Sequence, residues 1–244
     1  MDMLRFTRRA TVALLSAFAL SACGPSATSD AEQTSSPSET TGSTSPDMIL
    51  GDADAPIEII EYASWTCPAC LQFERDVAPM IKSEYIETGK VRLVFRDFPT
   101  APANIAVAGF ALARCAGPDQ YFDVLDELFD RQPGILALVR NGGQVKEALM
   151  QVGANHGIDS EEAFDTCMSD SSIRRAIATS IAQGDAQGVG TTPTVFIDGE
   201  KLEGFDWRTE AGMRAVLEAK FAETTPAAET TDAGPAPADA ADEQ

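Results

Sequence analysis

Two cysteines three residues apart are the residues of this sequence best suited to chemistry. Cys67 and Cys70 enclose Pro68 and Ala69 in the tetrapeptide CPAC. Two cysteines on one helical turn can close a disulfide, and the second can resolve a mixed disulfide that the first has formed. A structural zinc site needs four ligands, whereas the chain offers one other, widely spaced cysteine pair and a single histidine. We therefore predict redox chemistry, with a purely structural disulfide or half of a zinc site as the alternatives.

The elements on either side of the pair position these sulfurs. Residues 57–62 are mainly β-branched and aromatic, which predicts a buried strand, and the apolar residues after Cys70 recur at three- and four-residue steps, which predicts a helix. Pro68 suits the first turn of that helix, because its missing N–H costs nothing there. Cys67 then lies at a helix N-terminus, where open N–H groups and the helix dipole favour a thiolate. We expect Cys67 to be the attacking sulfur and Cys70 the resolving one.

The rest of the chain supplies a sheet and a helical segment. Residues 48–51 predict an edge strand and residues 91–98 another strand, so the order β–α–β favours a parallel pair. About five helices are predicted between residues 104 and 188, the second of them starting at Pro118. The segment VGTTPTVFIDG then leads into a further strand, and a short strand near residues 201–203 precedes a last helix at residues 207–221.

A family resemblance rests on two of these segments. IEIIEYASWTCPAC, together with the later VGTTPTVFIDG, resembles the DsbA-like thiol–disulfide oxidoreductases of the thioredoxin-fold superfamily, over about residues 48 to 221. The resemblance implies an α/β thioredoxin fold, in which a central sheet is flanked by helices, with a helical subdomain inserted at about residues 103–188. It also implies an enzyme that exchanges disulfides with polypeptide thiols. We expect no cofactor and no metal.

The resemblance also assigns a place for the substrate. The family's proline that matches Pro193 is cis and lies beside the CxxC motif. A cis bond before proline bends the chain sharply and proline has no N–H, so the backbone of Thr192 is left to pair with an extended substrate segment. We expect Thr192, Pro193 and Trp65 to bind the substrate. Without the family, Thr192-Pro193 would be only a turn that enters a strand.

Two further residues bear on the reaction. Glu61, six residues before Cys67, matches an acidic residue under the active site of family members, and we expect it to relay the proton of Cys70, unless it is an ordinary exposed acid at a strand end. Ala69 stands where the most oxidising members have histidine. We therefore expect an oxidase with a milder potential, roughly −150 to −230 mV. The alternatives are a reductase or isomerase for one client, and a Cu(I)-binding lipoprotein that uses the two cysteines.

The two remaining cysteines of the folded region lie far apart along the chain. Cys115 falls on the first helix of the predicted insertion and Cys167 on the fourth. As in some relatives, we expect them to form a structural disulfide, with two buried free thiols as the alternative. An oxidising compartment fits this use of cysteine.

Both ends of the chain differ in composition from the region between them. Residues 1–22 combine arginines with an apolar run too short to span a bilayer, which predicts a signal peptide. Its end, Leu-Ser-Ala before Cys23, resembles a bacterial lipobox, so we expect Cys23 to be lipidated, with an unlipidated secretory signal as the alternative. Residues 23–46 predict a disordered Ser/Thr/Pro-rich tether, residues 47–221 the thioredoxin domain, and residues 222–244 a disordered acidic tail.

Composition limits the partners. The 244 residues carry a net charge of −20, which argues against binding to nucleic acid or to anionic lipid. Hydrophobic residues make up 44% of the chain, enough for a sizeable core. We expect a monomer that is anchored by lipid on the periplasmic side of a bacterial membrane. The resemblance further implies a membrane redox partner that reoxidises it.

Overall fold

The computed structural model describes residues 47–224. The predicted signal peptide, the tether up to residue 46, Cys23 and the tail from residue 225 lie outside the described residues. The elements are β1 (Met48–Leu50), β2 (Ile57–Ala63), α1 (Pro68–Asp76), α2 (Ala78–Ile81), a π-helical turn (Lys82–Ile86), β3 (Val91–Asp97), α3 (Ala103–Cys115), α4 (Tyr121–Asn141), α5 (Val145–Asn155), α6 (Glu161–Ser169), α7 (Ser171–Ala186), β4 (Thr194–Ile197), β5 (Glu200–Lys201), a 3-10 turn (Asp206–Arg208) and α8 (Glu210–Thr224).

The strands form one mixed sheet in the order β1-β3-β2-β4-β5. The central pair, β2 and β3, is parallel as predicted, with Ile57 opposite Val91 and Ala63 opposite Asp97, while the other neighbours are antiparallel. Parallel neighbours need a long crossover connection, and the helices between β2 and β3 provide it. The carboxyl end of β2 therefore leads directly into the turn that carries the cysteine pair.

Both faces of β2 are buried, which explains its nearly continuous apolar sequence. Successive residues join different parts of the core, because side chains of a strand alternate between its faces. Ile59 packs in a cluster with residues of α1, α2 and α8, and Ile60 packs in another cluster with Val189 and Phe196. The largest cluster joins α3 through α7 to Trp65, Cys70 and Leu71. The helical insertion thus contacts the cysteine turn directly.

The insertion has the five helices that the pattern predicts, and the mixed sheet with flanking helices confirms the predicted fold class. Two helices of the chain, α4 and α8, have boundaries that differ from the prediction. α4 begins at Tyr121 rather than at Pro118, because a turn at Gly117 comes first. The last helix begins at Glu210, where the Thr209 hydroxyl accepts from the N–H of Gly212, and it continues to Thr224, three residues into the predicted tail.

A disulfide ties two helices of the insertion together. Cys115, at the end of α3, is bonded to Cys167 in α6, and their Cα atoms lie 5.6 Å apart. In the structure these cysteines are therefore bonded rather than packed as two free thiols. Within residues 47–224, no helix has both the length and the apolar character that crossing a membrane requires.

Candidate active site

Cys67 lies at the junction between the end of β2 and the start of α1. It is the N-cap of α1, with an extended backbone, and Pro68 occupies the first helical position. The N–H of Cys67 donates to the Ser64 carbonyl at 2.9 Å, which closes a tight turn before the helix. The side chain is partly exposed. This placement puts the sulfur beside the open N–H groups of the first helical turn.

Several donors lower the pKa of the Cys67 thiol from its ordinary 9.0 to about 5. The largest cause is the hydrogen bond with the Cys70 thiol, which outweighs the opposing effect of partial burial. The Thr192 side chain and the backbone N–H groups of Cys70 and Ala69 lower the pKa further. The helix start therefore contributes as the sequence predicts, but the neighbouring thiol contributes more. At neutral pH Cys67 is a thiolate.

Cys70 is the opposite kind of thiol. It is fully buried, and its sulfur lies 3.5 Å from the backbone N–H of Ser64. Burial is the largest cause that raises its pKa well above the ordinary value, followed by the hydrogen bond and the charge of Cys67. The two cysteines are not bonded to each other in the structure. The site thus pairs an accessible thiolate with a buried thiol that keeps its proton.

The predicted Thr192-Pro193 segment lies against this thiolate. The Cys67 sulfur is 3.5 Å from the carbonyl oxygen of Thr192, although the two residues are 125 positions apart. The bond between Thr192 and Pro193 is cis, and Arg208 donates to the Pro193 carbonyl at 3.1 Å. Pairing of β4 with β2 produces this proximity, because β4 starts one residue after Pro193.

Trp65 does not take the substrate-binding place predicted for it. Its side chain is 0% exposed, and its Nε1 donates to the Ala106 carbonyl of α3 at 2.9 Å. The ring packs so closely on Gly109 that a Cβ at this position would lie 2.5 Å from Trp65 Cε2. No part of the ring can meet a substrate, so the prediction is wrong. Trp65 instead anchors the cysteine turn to the helical insertion.

Sequence reasoning missed Gln132. This residue of α4 is 2% exposed, and its Nε2 donates to the carbonyl oxygens of Trp65 at 2.6 Å and of Cys67 at 3.0 Å. A signal was present, because Gln132 falls at a regular step in the buried stripe of α4. The other members of that stripe are Tyr121, Val124, Leu125, Leu128, Phe129 and Ile135.

Glu61 is buried beneath the site. It is 2% exposed, which excludes an ordinary exposed strand-end acid, and its Oε1 has no hydrogen-bond partner within the part of the chain that the structure describes. Burial raises its pKa well above the usual range, the Glu74 carboxylate raises it further and the Lys82 ammonium lowers it. The charge of Glu61 in turn helps to raise the pKa of Cys70. The two groups therefore interact electrostatically.

A row of charged residues leads from Glu61 toward the surface. A cavity of about 10 Å³ is lined by Glu61 and Lys82 and has the space of roughly one water molecule. The Lys82 ammonium lies 3.7 Å from Glu74 and 2.8 Å from Asp126. Burial raises the pKa of Glu74 to about 7, against the lowering effect of Lys82. Glu74, Lys82 and Asp126 were not among the predicted site residues.

Among residues 47–224, no three His, Cys, Asp or Glu side chains form a group that could hold a metal ion.

Comparisons with known proteins agree on one family. A family model described as "Thioredoxin" matches residues 43–219. A Rickettsia bellii protein with the provisional name protein-disulfide oxidoreductase is 29% identical over 161 residues, which cover 65% of this chain and 60% of that protein. Disulfide bond formation protein D of Bacillus subtilis is 22% identical over 64% of this chain and 70% of its own length. The chain spans only 53% to 60% of the length of the Rickettsia relatives.

Solved structures show the same architecture. Alpha-DsbA1 of Wolbachia pipientis is 28% identical, with a TM-score of 0.63, over 72% of this chain and 92% of its own. Oxidised BdbD of Bacillus subtilis is 20% identical, with a TM-score of 0.60, over 72% of this chain and 94% of its own, a likeness of fold alone. These comparisons confirm the resemblance on which the sequence predictions rest.

Proposed function

Because this chain belongs to the thioredoxin family, we propose that it is a DsbA-type protein thiol–disulfide oxidoreductase that oxidises polypeptide thiols through Cys67 and Cys70. One observation carries the proposal: the pKa of the accessible thiol is lowered to about 5, while burial raises that of its neighbour. An accessible thiolate takes part in disulfide exchange, and a buried thiol three residues on closes the active-site disulfide with it.

The reaction begins with the oxidised pair. A substrate thiolate attacks the Cys67 sulfur, a substrate–Cys67 disulfide forms, and the Cys67–Cys70 bond breaks. Cys70 leaves as a thiolate and takes a proton, as its raised pKa requires. A second substrate thiolate attacks the substrate sulfur of the mixed disulfide and releases Cys67. Two substrate thiols have become a disulfide, and the enzyme holds one thiolate, one thiol and the two electrons.

The direction follows from the stability of the reduced form. The released Cys67 thiolate is stabilised by the Cys70 thiol, the Thr192 side chain and the N–H groups of the helix start. A stabilised thiolate leaves readily and makes the reduced enzyme the favoured state, which makes the disulfide oxidising. Ala69 adds no further donor to the thiolate beyond its backbone. This supports a moderately oxidising potential, in the predicted range of roughly −150 to −230 mV.

The substrate docks as an extended segment along Thr192 and Pro193. The 3.5 Å between the Cys67 sulfur and the Thr192 carbonyl supports this, because a chain beside Thr192 would lie within reach of the sulfur. Pro193 offers no N–H to the sheet, and its carbonyl is engaged by Arg208. Recognition through the main chain suits an enzyme that serves many sequences.

Glu61 exchanges the proton of Cys70 during each cycle. Its burial, its raised pKa and its electrostatic interaction with Cys70 support this role. The small cavity beside Glu61 and Lys82 has room for a water molecule that connects the carboxyl to its surroundings. Glu61 is a positioning and proton-holding group, since the sulfurs do the covalent chemistry.

The reaction takes place outside the cytoplasm. The Cys115–Cys167 disulfide supports an oxidising compartment, and the predicted signal peptide and Cys23 support export and a lipid anchor. A membrane redox protein then accepts the two electrons and restores the Cys67–Cys70 disulfide. Replacing Cys23 by Ala should abolish lipid labelling and release the protein from the membrane, and labelling that persists would remove the anchor from the proposal.

Oxidative refolding tests the function directly. The oxidised wild type should form disulfides in a reduced, unfolded substrate, and Cys67→Ser should be inactive, whereas Cys70→Ser should trap a mixed disulfide when it is given a substrate that already carries a disulfide. Equilibration with glutathione then measures the potential, and a value below that of thioredoxin would exclude an oxidase. Insulin reduction, refolding of a scrambled substrate and Cu(I) titration on the same sample distinguish the reductase, the isomerase and the copper-binding alternatives.

A further inference from the structure

One buried side-chain amide of the helical insertion, that of Gln132, donates to the backbone of the cysteine turn. Both contacts of Gln132 fall on the turn itself, where the carbonyls of Trp65 and Cys67 lie on either side of Thr66. Within residues 47–224, Gln132 makes the one hydrogen bond to the Trp65 carbonyl, whereas the Cys67 carbonyl also accepts from the N–H of Leu71. The amide thus links the last residues before the helix to its first turn.

We propose that Gln132 is a positioning residue of the exchange reaction proposed above, whose side-chain amide holds the turn at residues 65–67 so that the Cys67 sulfur stays between the start of α1 and Thr192. The amide has two N–H donors, and the turn offers two carbonyl oxygens at hydrogen-bond distance. A side chain without donors would leave the Trp65 carbonyl buried and unpaired.

The position of Gln132 argues against simple packing. It lies in the buried apolar stripe of α4, between Phe129 and Ile135, where an apolar side chain would fill the same space without desolvating an amide. Burying an unpaired amide costs free energy, so a glutamine is tolerated there only because both donors are used. The side chain therefore recognises the turn rather than fills the core.

The link acts on the reactive sulfur through backbone geometry. The backbone N–H groups of Ala69 and Cys70 help to stabilise the Cys67 thiolate, and they do so only while the turn directs the sulfur toward them. Without the Gln132 amide, the two carbonyl oxygens would rotate toward other donors or toward solvent. This rotation of the backbone would displace Cys67. Loss of the link should therefore make Cys67 more basic and slow its exchange at low pH.

Two variants of nearly equal shape separate donation from packing. Gln132→Met keeps the length of the side chain and removes both donors, so the measured Cys67 pKa should rise by about one unit. Gln132→Glu keeps the shape, and its carboxyl, buried against two carbonyl oxygens, stays protonated where Cys67 titrates. It then offers one O–H donor instead of two N–H donors, so the shift should be smaller than in Gln132→Met. The Cys67 pKa of both variants is measured from the pH dependence of the alkylation rate and of the thiolate absorbance.

Ile135→Val is the matched control. Ile135 is buried on the same helix three residues further on. Its truncation should lower the melting temperature and leave the Cys67 pKa unchanged. An unchanged Cys67 pKa in both Gln132 variants, or an equal shift in Ile135→Val, would overturn the proposal.

If neither Gln132 variant folds, hydrogen exchange in the wild type still tests the proposal. The side-chain amide protons of Gln132 should exchange with solvent far more slowly than those of exposed Gln151, and equal exchange rates would refute the link. A wild type without exchange activity would defeat the proposed function alone, since the pKa comparison needs no turnover.

Discussion

The hydrogen bond between the two active-site thiols should be the largest single cause of the lowered Cys67 pKa. Replacing Cys70 by Ala removes the largest cause of the lowered Cys67 pKa, whereas replacing it by Ser keeps an O–H donor at almost the same place. Both substitutions abolish the redox pair equally. Any difference between the two variants therefore reports the hydrogen bond, and not the loss of the second sulfur.

The structure allows the size of the effect to be worked out. The Cys67 pKa falls from 9.0 to about 5 through several donors together. One hydrogen bond to a charged group contributes about 1.5 to 3 kcal/mol, or roughly one to two pKa units. We expect Cys67 to titrate between about 6 and 7 in Cys70→Ala and close to the wild-type value in Cys70→Ser.

The same shift predicts how the stability of the reduced protein depends on pH. Because the pKa is depressed in the folded state, the stabilisation is fully present above the ordinary value of 9.0 and is lost as the pH falls toward about 5. The full shift converts to about 5 kcal/mol, and the partial exposure of the thiol to solvent reduces this to roughly 2 to 3 kcal/mol. Cys70→Ala should flatten this dependence.

Thiolate absorbance against pH is the direct assay, with the Cys115–Cys167 disulfide kept intact so that it does not titrate. Denaturant unfolding of the reduced protein across the same pH range gives the stability. Equal Cys67 pKa values in Cys70→Ala and Cys70→Ser would refute the hydrogen-bond explanation, and values near 9.0 in both would show that the helix start contributes little.

Three further outcomes are expected. Glu61→Gln should slow exchange by on the order of 100-fold in a refolding assay. Because the Glu61 pKa is raised in the folded state, the wild type should lose stability relative to this variant as the pH rises through and above the usual range of a carboxyl, as denaturant unfolding at several pH values would record. Gly109→Ala should destabilise the fold by about 1 to 3 kcal/mol in denaturant unfolding, because its Cβ would meet the ring of Trp65. Replacing Cys115 and Cys167 together by Ser should cost about 4 kcal/mol of unfolding free energy, since the bond spans 52 residues, while the Cys67 pKa stays unchanged.

The Glu61 and Gly109 variants each have a matched control. Glu58→Gln, on the same strand but partly exposed, should leave exchange unchanged, and an identical pH–rate profile in Glu61→Gln would remove Glu61 from the mechanism. Gly134→Ala is the control for Gly109→Ala, because a Cβ at Gly134 meets nothing within 4 Å. Equal stability of these two variants would contradict the close packing of Trp65. A lowered exchange rate with a normal Cys67 pKa in the double Ser variant would point to a further role of the second disulfide.

Whether Glu61 is buried and what Trp65 contacts could be decided only from the packed structure. From the sequence, the Glu61 carboxyl could be either buried or exposed. Helices α1 and α2 bury it, since Phe73 of α1 and Ala78 of α2 line the same small cavity as Glu61. Trp65 was predicted to bind substrate together with Thr192 and Pro193. The ring of Trp65 instead enters the space that Gly109 leaves open in α3, a fit that sequence spacing cannot reveal.

Buried polar groups were the hardest to predict. Arg114 lies in the almost wholly apolar α3 and is fully buried, where it donates to the carboxylate of Asp97, which also accepts from Tyr121. A charged group at such a place is tolerated only when a partner from another element meets it. The same holds for Gln132 and its two carbonyls, so neither residue can be interpreted without the elements packed against it.

Local features could be predicted from the printed chain: a strand, a cysteine at the first turn of a helix, about five helices and a Thr-Pro entry to a late strand. Proline geometry, β-branching and helical periodicity act over a few residues, so they can be recognised in the printed chain. Three other features became visible only in the packed fold: the Thr192 carbonyl oxygen lies 3.5 Å from the Cys67 sulfur, Glu61 is buried, and Gln132 donates to the carbonyls of the cysteine turn. These features join residues that are distant in the chain, and their energies depend on burial and on partners that exist only after the sheet and the helices have packed.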